Sequence, residues 1–243
     1  MEVLVIAIQK GGTGKTTTAA ALAQAAAYTG KRVLVIDLDP QGNLSFALGA
    51  DQRAAPTSYE WITQGTAAPI QTTEQGLDII PASAELALIT LEKGSARRLQ
   101  KVLAPLKGDY ELIVIDTPPT AGALQYNALQ AATGLIIPLQ ADIYNLQSFY
   151  QIMDTAHQIQ QSNPALVVKG FVLTQYDSRS TLAKQFKQTI TDSAAALGVP
   201  CLGTIRAGVA IKEAAALQKS LFDYAGKSKP AADYMALFNA CQN

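Results

Sequence analysis

The sequence is poor in residues that bind metals or cross-link chains. Of its 243 residues, two are cysteine and one is histidine. Cys201 and Cys241 make no disulfide framework, and neither sits at a metal-ligand spacing. Both read as small core residues in a reducing compartment. A single histidine, His157, excludes a histidine-based metal cluster. No apolar run approaches the ~20 residues of a membrane-spanning helix. No basic segment with a cleavage site precedes the first apolar run, so no signal peptide is expected. Net charge is absent too, since 19 Lys+Arg balance 19 Asp+Glu. That balance hides an asymmetry. Residues 1–165 carry 10 basic against 14 acidic side chains, and residues 166–243 carry 9 against 5. The positive C-terminal third suits either a local anionic partner, such as nucleic acid, or a solvated surface.

What is present is a globular composition, 49% hydrophobic, long enough to bury a sizeable core without metals or disulfides. Apolar runs at 3–8, 33–36, 77–81, 112–116, 135–139 and 167–174 read as strands, with a shorter one at 199–202. Helical stretches are expected at 18–27, 84–91, 96–106, 122–132, 144–161, 209–217 and 230–241, with short ones at 44–48 and 59–62. Another runs to Leu197 from a cap at Ser178 or Ser180, with Leu182, Phe186, Ile190 and Leu197 inward. Residues 203–206 lead from the short strand at 199–202 into a loop. Strands alternating with helices predict an α/β fold: a mostly parallel twisted sheet with helices on both faces. No repeat or linker divides the chain, so 1–243 reads as a single domain.

The chemistry concentrates in Gln9-Lys10-Gly11-Gly12-Thr13-Gly14-Lys15-Thr16-Thr17, between an apolar strand and an alanine-rich helix. Glycines let backbone N–H groups close around a phosphate, and the helix N-terminus adds a favourable dipole. Lys15 is placed to reach β- and γ-phosphates and the Thr16 hydroxyl to hold magnesium. The standard spacing Gly-x-x-x-x-Gly-Lys-Ser/Thr requires glycine where Gln9 stands, and a second lysine, Lys10, precedes the loop. Two further strands end in acids. Asp37-Leu38-Asp39-Pro40-Gln41-Gly42-Asn43 follows the second, and Asp116-Thr117-Pro118-Pro119 follows the run at 112–116. Acids at these strand ends point to the ligand edge of an α/β sheet. Asp116 suits support of a magnesium shell, Asp37 would assist it, and Asp39 suits orienting the attacking water.

Lys10-Gly11-Gly12-Thr13-Gly14-Lys15-Thr16-Thr17 resembles the deviant Walker A motif of the ParA/MinD ATPases. Residues 37–43 resemble the ParA version of the second motif, and Ile115 to Pro119 the third. Val172 to Arg179 and the Glu213-Ala214 helix resemble later ParA segments. The resemblance implies ATP and Mg2+ as cofactors and an ATP-sandwich homodimer in which Lys10 reaches the partner's phosphates. It implies that Gly12 lies where two loops approach closely and that Asp39 supports hydrolysis. It further implies nonspecific binding of double-stranded DNA, a ParB-like adaptor that stimulates hydrolysis, and cytoplasmic, nucleoid-associated work in plasmid or chromosome segregation.

Arg179 lies where the resemblance places a DNA contact. Lys184, Lys187, Arg206, Lys212 and Lys219 join it as candidates from charge and helical spacing. Residues 175–177 and 206–209 are candidate adenine contacts by position. The first strand begins at Val3, so no N-terminal DNA-binding domain is expected. The tail after Pro230 has no Lys or Arg, so no membrane-binding helix is expected there and its apolar stripe should pack on the body. Competing functions are the positioning of a protein cargo and a metabolic or metallocluster P-loop enzyme.

Overall fold

The apolar runs become the inner strands of one sheet. The computed structural model describes residues 1–91, 95–142 and 144–242. The strands are β1 (Glu2–Ile6), β2 (Val33–Asp37), β3 (Gln71–Thr72), β4 (Asp78–Ile80), β5 (Leu112–Asp116), β6 (Gly134–Gln140), β7 (Val167–Tyr176) and β8 (Cys201–Arg206). Their order is β3-β4-β2-β5-β1-β6-β7-β8. Every pairing is parallel except β3 with β4.

The helices are α1 (Lys15–Tyr28), α2 (Asn43–Leu48), α3 (Ser58–Gln64), α4 (Arg98–Leu103), α5 (Ala123–Ala131), α6 (Tyr144–Gln160), α7 (Thr181–Ala195), α8 (Val209–Ala216), α9 (Leu221–Ala225) and α10 (Lys229–Cys241). They cover both faces. Val3 and Val5 of β1 face a core shared with α4, α5, α6 and α7, while Leu4 and Ile6 face α1, α2, α8, α9 and α10. That division follows the two-residue alternation of a strand buried on both sides.

Several elements differ from expectation. The stretch 84–91 forms only a 3-10 turn, Ala84–Leu88. The stretch 96–106 breaks into a 3-10 turn, α4 and a second 3-10 turn holding Pro105 at its start, where proline lacks the N–H a continuing helix needs. Residues 203–206 are strand, the continuation of β8 along β7. In α7 the buried stripe is Ala183, Phe186, Ile190 and Ala194, whereas Leu182 and Leu197 are exposed. Its cap is Ser180, whose hydroxyl accepts from the Ala183 N–H. The stripe of α10, Tyr234, Leu237, Phe238 and Cys241, is buried as expected.

The topology fixes where a ligand belongs. Strand β1 sits between β5 and β6, and the chain winds outward in both directions from it. That is a topological switch point, and the crevice lies off the carboxyl ends of these strands. Pairing of β1 with β6 ends at Ile6 opposite Ile136. The Ala7 N–H donates to Ile136 O, so the alternate residue Pro138 turns its missing N–H to the side where β1 has already left the sheet. The loop leaving β1 is therefore free to curl over the edge.

Candidate functional site

The loop after β1 runs into α1 without a conventional cap. Gly14, in the N-cap position, is left-handed (φ 86°) and no side chain caps the first turn. A helix start with uncapped N–H groups suits an anion. Gly12 is also left-handed (φ 77°), and a Cβ there would meet nothing within 4 Å in the protomer. The helix starts at Lys15 itself, so Lys15, Thr16 and Thr17 belong to its first turn. These three, with Gly11, Gly12 and Gly14, line a cavity of about 680 Å3 that also takes in Asp39, Gln175, Lys212 and Lys219. Thr13 turns away from it and is buried.

The Lys15 ammonium folds back to donate to the Lys10 carbonyl at 2.7 Å. Burial lowers its pKa, and the charges of Asp116 and Asp39 oppose that fall. Lys10 turns elsewhere: its Nζ meets Asp142 Oδ2 at 3.0 Å, beyond the end of β6.

Asp37 and Asp116 are register partners at the ends of β2 and β5 and are fully buried. Asp37 is engaged on both oxygens. Its Oδ1 accepts from Asp39 N–H, and its Oδ2 from both the N–H and the hydroxyl of Ser45 at 2.8 and 2.7 Å. It thus caps α2 from outside, a favourable place for a carboxylate. Burial nonetheless raises its pKa to about 6, against the pull of the Ser45 bonds. Asp116 is raised well above the ordinary carboxylate range, first by burial and then by the charge of Asp37, with Thr16 and Lys15 opposing. Its Oδ1 accepts from Thr117 N–H, and its Oδ2 is buried without a hydrogen-bond partner among the described residues. Asp39 Oδ1 accepts from Gln41 N–H, which holds the turn beneath the cavity.

The basic candidates do not gather in one place. Lys212 and Lys219 line the cavity with the loop. Arg206 donates to Asp233 through its N–H, Nε and Nη2, tying β8 to α10. Arg179 grips Asp177 two residues before it, which holds that carboxyl at about 2. Lys187 lies over the Tyr176 ring at 5.5 Å, and Lys184 stands exposed on α7.

Sequence reasoning missed Gln140, Asp142, Thr174 and Ser45, which touch the loop or its acids. For Gln140 a signal existed, because it ends β6 as Asp37 ends β2 and Asp116 ends β5.

Comparison with known proteins agrees with this geometry. A family profile described as an AAA domain matches residues 1–168. The chromosome partitioning protein ParA of Caulobacter vibrioides is 40% identical over 201 residues, covering 78% of this chain and 75% of that protein. The sporulation initiation inhibitor protein Soj of Bacillus subtilis is 37% identical over 193 residues, 76% of each. Among solved structures, cobyrinic acid a,c-diamide synthase from Mycobacterium smegmatis with ADP and magnesium aligns with a TM-score of 0.80 at 32% identity, over 98% of this chain and 93% of that one. The septum site-determining protein MinD of Pyrococcus horikoshii with Mg-ADP aligns with a TM-score of 0.79 at 26% identity, over 98% and 94%. The chain belongs to the ParA/MinD family of P-loop ATPases.

Proposed function

We propose that this chain is a magnesium-dependent ATPase that dimerises around ATP, binds duplex DNA without sequence preference and segregates a plasmid or chromosome region with a ParB-like adaptor. The residues fit a nucleotide with a divalent cation. Asp37 and Asp116 are buried side by side, Lys15 acts on Asp116 alone of the two, and Asp116 Oδ2 lacks a partner, so a cation there offsets the acidic charge and satisfies that oxygen. Among the described residues no three His, Cys, Asp or Glu converge on a metal by themselves, so the cation would need phosphate oxygens as well. Bound Mg-ATP supplies a phosphoryl group whose transfer to water needs positioning and charge stabilisation. Thr16 and Asp116 would hold the cation, with Asp37 behind them. Loop N–H groups and Lys15 would neutralise phosphate charge, and Asp39, at the cavity wall, would orient water.

The observation that carries the dimer is the direction of Lys10. Its ammonium points to Asp142 and not into its own cavity, so a phosphate in a facing copy is a natural target. The partition reading rests on the ParA and Soj relatives; the protein then works in the cytoplasm on the nucleoid, as one ATPase domain over 1–243. Purified protein with Mg-ATP should form dimers that bind plain duplex DNA, with affinity falling steeply as salt rises. No DNA binding at low salt would refute this. The diamide synthase likeness favours one competing reading, amide formation by a P-loop enzyme. Glutamine- or ammonia-dependent ATP consumption in place of DNA-stimulated turnover would select it.

A further inference from the structure

We propose that Gln140, Thr174 and Gln175 are positioning residues that hold the outer carbonyls of the phosphate loop and so aim its N–H groups inward. The proposal rests on the nucleotide-binding reading above. A concave run of N–H groups turns the intervening carbonyls outward, and outward carbonyls near a protein interior need donors. Here the donors are side chains from two neighbouring strand ends. Gln140 Nε2 donates to Gly12 O at 2.7 Å, and Gln175 Nε2 donates to the same oxygen at 3.1 Å. The Thr174 hydroxyl donates to Thr13 O at 2.7 Å. Gly12 O thus accepts twice and the adjacent Thr13 O once, with Gln140 and Thr174 outside the cavity lining and Gln175 at the cavity wall.

The backbone at Gln175 supports the same reading. Adjacent residues of a strand point to opposite faces, yet Thr174 and Gln175 both reach the loop. Gln175 has φ 51°, left-handed for a residue with a Cβ. That turn breaks the alternation and brings its amide over Gly12. Backbone strain of this kind persists where surrounding structure over-determines it, typically at functional sites. Thr174 also lies directly against Gly14, since a Cβ there would be 3.4 Å from Thr174 Cγ2.

The test compares affinity for Mg-ATP, by calorimetry, with melting temperature. Thr174→Val keeps the shape and removes the donor, and should weaken binding roughly tenfold, whereas Thr174→Ser should stay within about twofold of wild type. The double variant Gln140→Ala, Gln175→Gly removes both donors to Gly12 O and relieves the left-handed strain. Gln140→Ala alone, which removes no cavity-lining side chain, should already weaken binding, and the double variant should lose roughly tenfold while melting no lower than Gln140→Ala, because glycine takes positive φ at little cost. Wild-type affinity in both Thr174→Val and the double variant overturns the proposal, as does an affinity loss in the double variant matched by a further fall in melting temperature. If Thr174→Val does not fold, the double variant decides. Wild-type protein that binds no Mg-ATP overturns the ATPase reading instead.

Discussion

Lys10 Nζ lies 3.0 Å from Asp142 Oδ2, across the gap between the phosphate loop and the turn after β6. Both side chains are partly exposed, 25% and 41%, so the pair adds little to stability once solvent screening is counted. Its consequence is directional. A lysine held by a carboxylate of its own chain must leave it to meet a phosphate in a facing copy. Asp142→Ala should therefore promote ATP-dependent dimer formation with a melting temperature close to wild type. Sedimentation velocity across an ATP titration checks this, and a weakened dimer would count against it. Lys10→Ala should spare much of the ATP binding and lose dimer-dependent hydrolysis.

The buried acids predict a pH dependence. The Asp37 carboxyl rises from 3.8 to about 6 in the fold, chiefly through burial. A raised carboxyl binds its proton more tightly in the native state than in the unfolded chain. Its contribution to stability is fully present below pH ~4 and is lost as pH rises through ~6. Between pH ~7 and ~5 the nucleotide-free protein should gain about 1 kcal/mol from Asp37, and Asp116 acts in the same direction. Asp37→Asn should flatten that part of the profile and raise the melting temperature at pH ~7. Thermal melts of both proteins from pH ~5 to ~8 give the difference curve, and equal slopes would remove Asp37 from the account.

Much of this site was legible because its parts are local. The loop at 9–17 carries its own chemistry, and β1, β2 and β5, buried on both faces, read as unbroken apolar runs, the last two ending in acids. What escaped depends on contacts between distant segments. Thr174 meets Thr13 across 161 residues, and Gln140 meets Gly12 across 128. Gln140 belongs to no compact motif, and Thr174, inside the 172–179 segment, carries no spacing that ties it to the loop. The edge strand β8 was read short because Gly203 and Thr204 lack the apolar density of the centre. In α7, alanines took the inward positions that leucines were expected to fill, since a small side chain suits close approach to the sheet.

Asp39 tests the division between holding nucleotide and turning it over. Asp39 lines the cavity, and its Oδ1 accepts from the Gln41 N–H. Asp39→Ala should retain ATP binding and dimers while losing roughly 100-fold or more in hydrolysis, the scale typical of a positioned general base. Lys15→Ala should instead abolish tight binding and leave Asp116 with less compensation. Phosphate release and nucleotide affinity, measured on both variants, separate the roles. Unchanged turnover in Asp39→Ala would remove it from the mechanism.

The basic residues divide by what they already hold. Lys184 is exposed on α7, while Arg206 donates three times to Asp233 and so joins β8 to α10. Lys184→Glu should weaken duplex DNA binding across all sequences and reduce the salt slope by about 1, leaving nucleotide affinity unchanged. Arg206→Ala should first lower the melting temperature, and Asp233→Ala should lower it in a non-additive way, because removing either partner breaks the same contact. Lys212→Ala and Lys219→Ala, at the cavity wall, should act on nucleotide affinity before they act on DNA. DNA binding as a function of salt, measured beside ATP affinity and melting on this set, distinguishes the assignments. A Lys184→Glu protein with the wild-type salt slope would exclude Lys184 from the DNA surface.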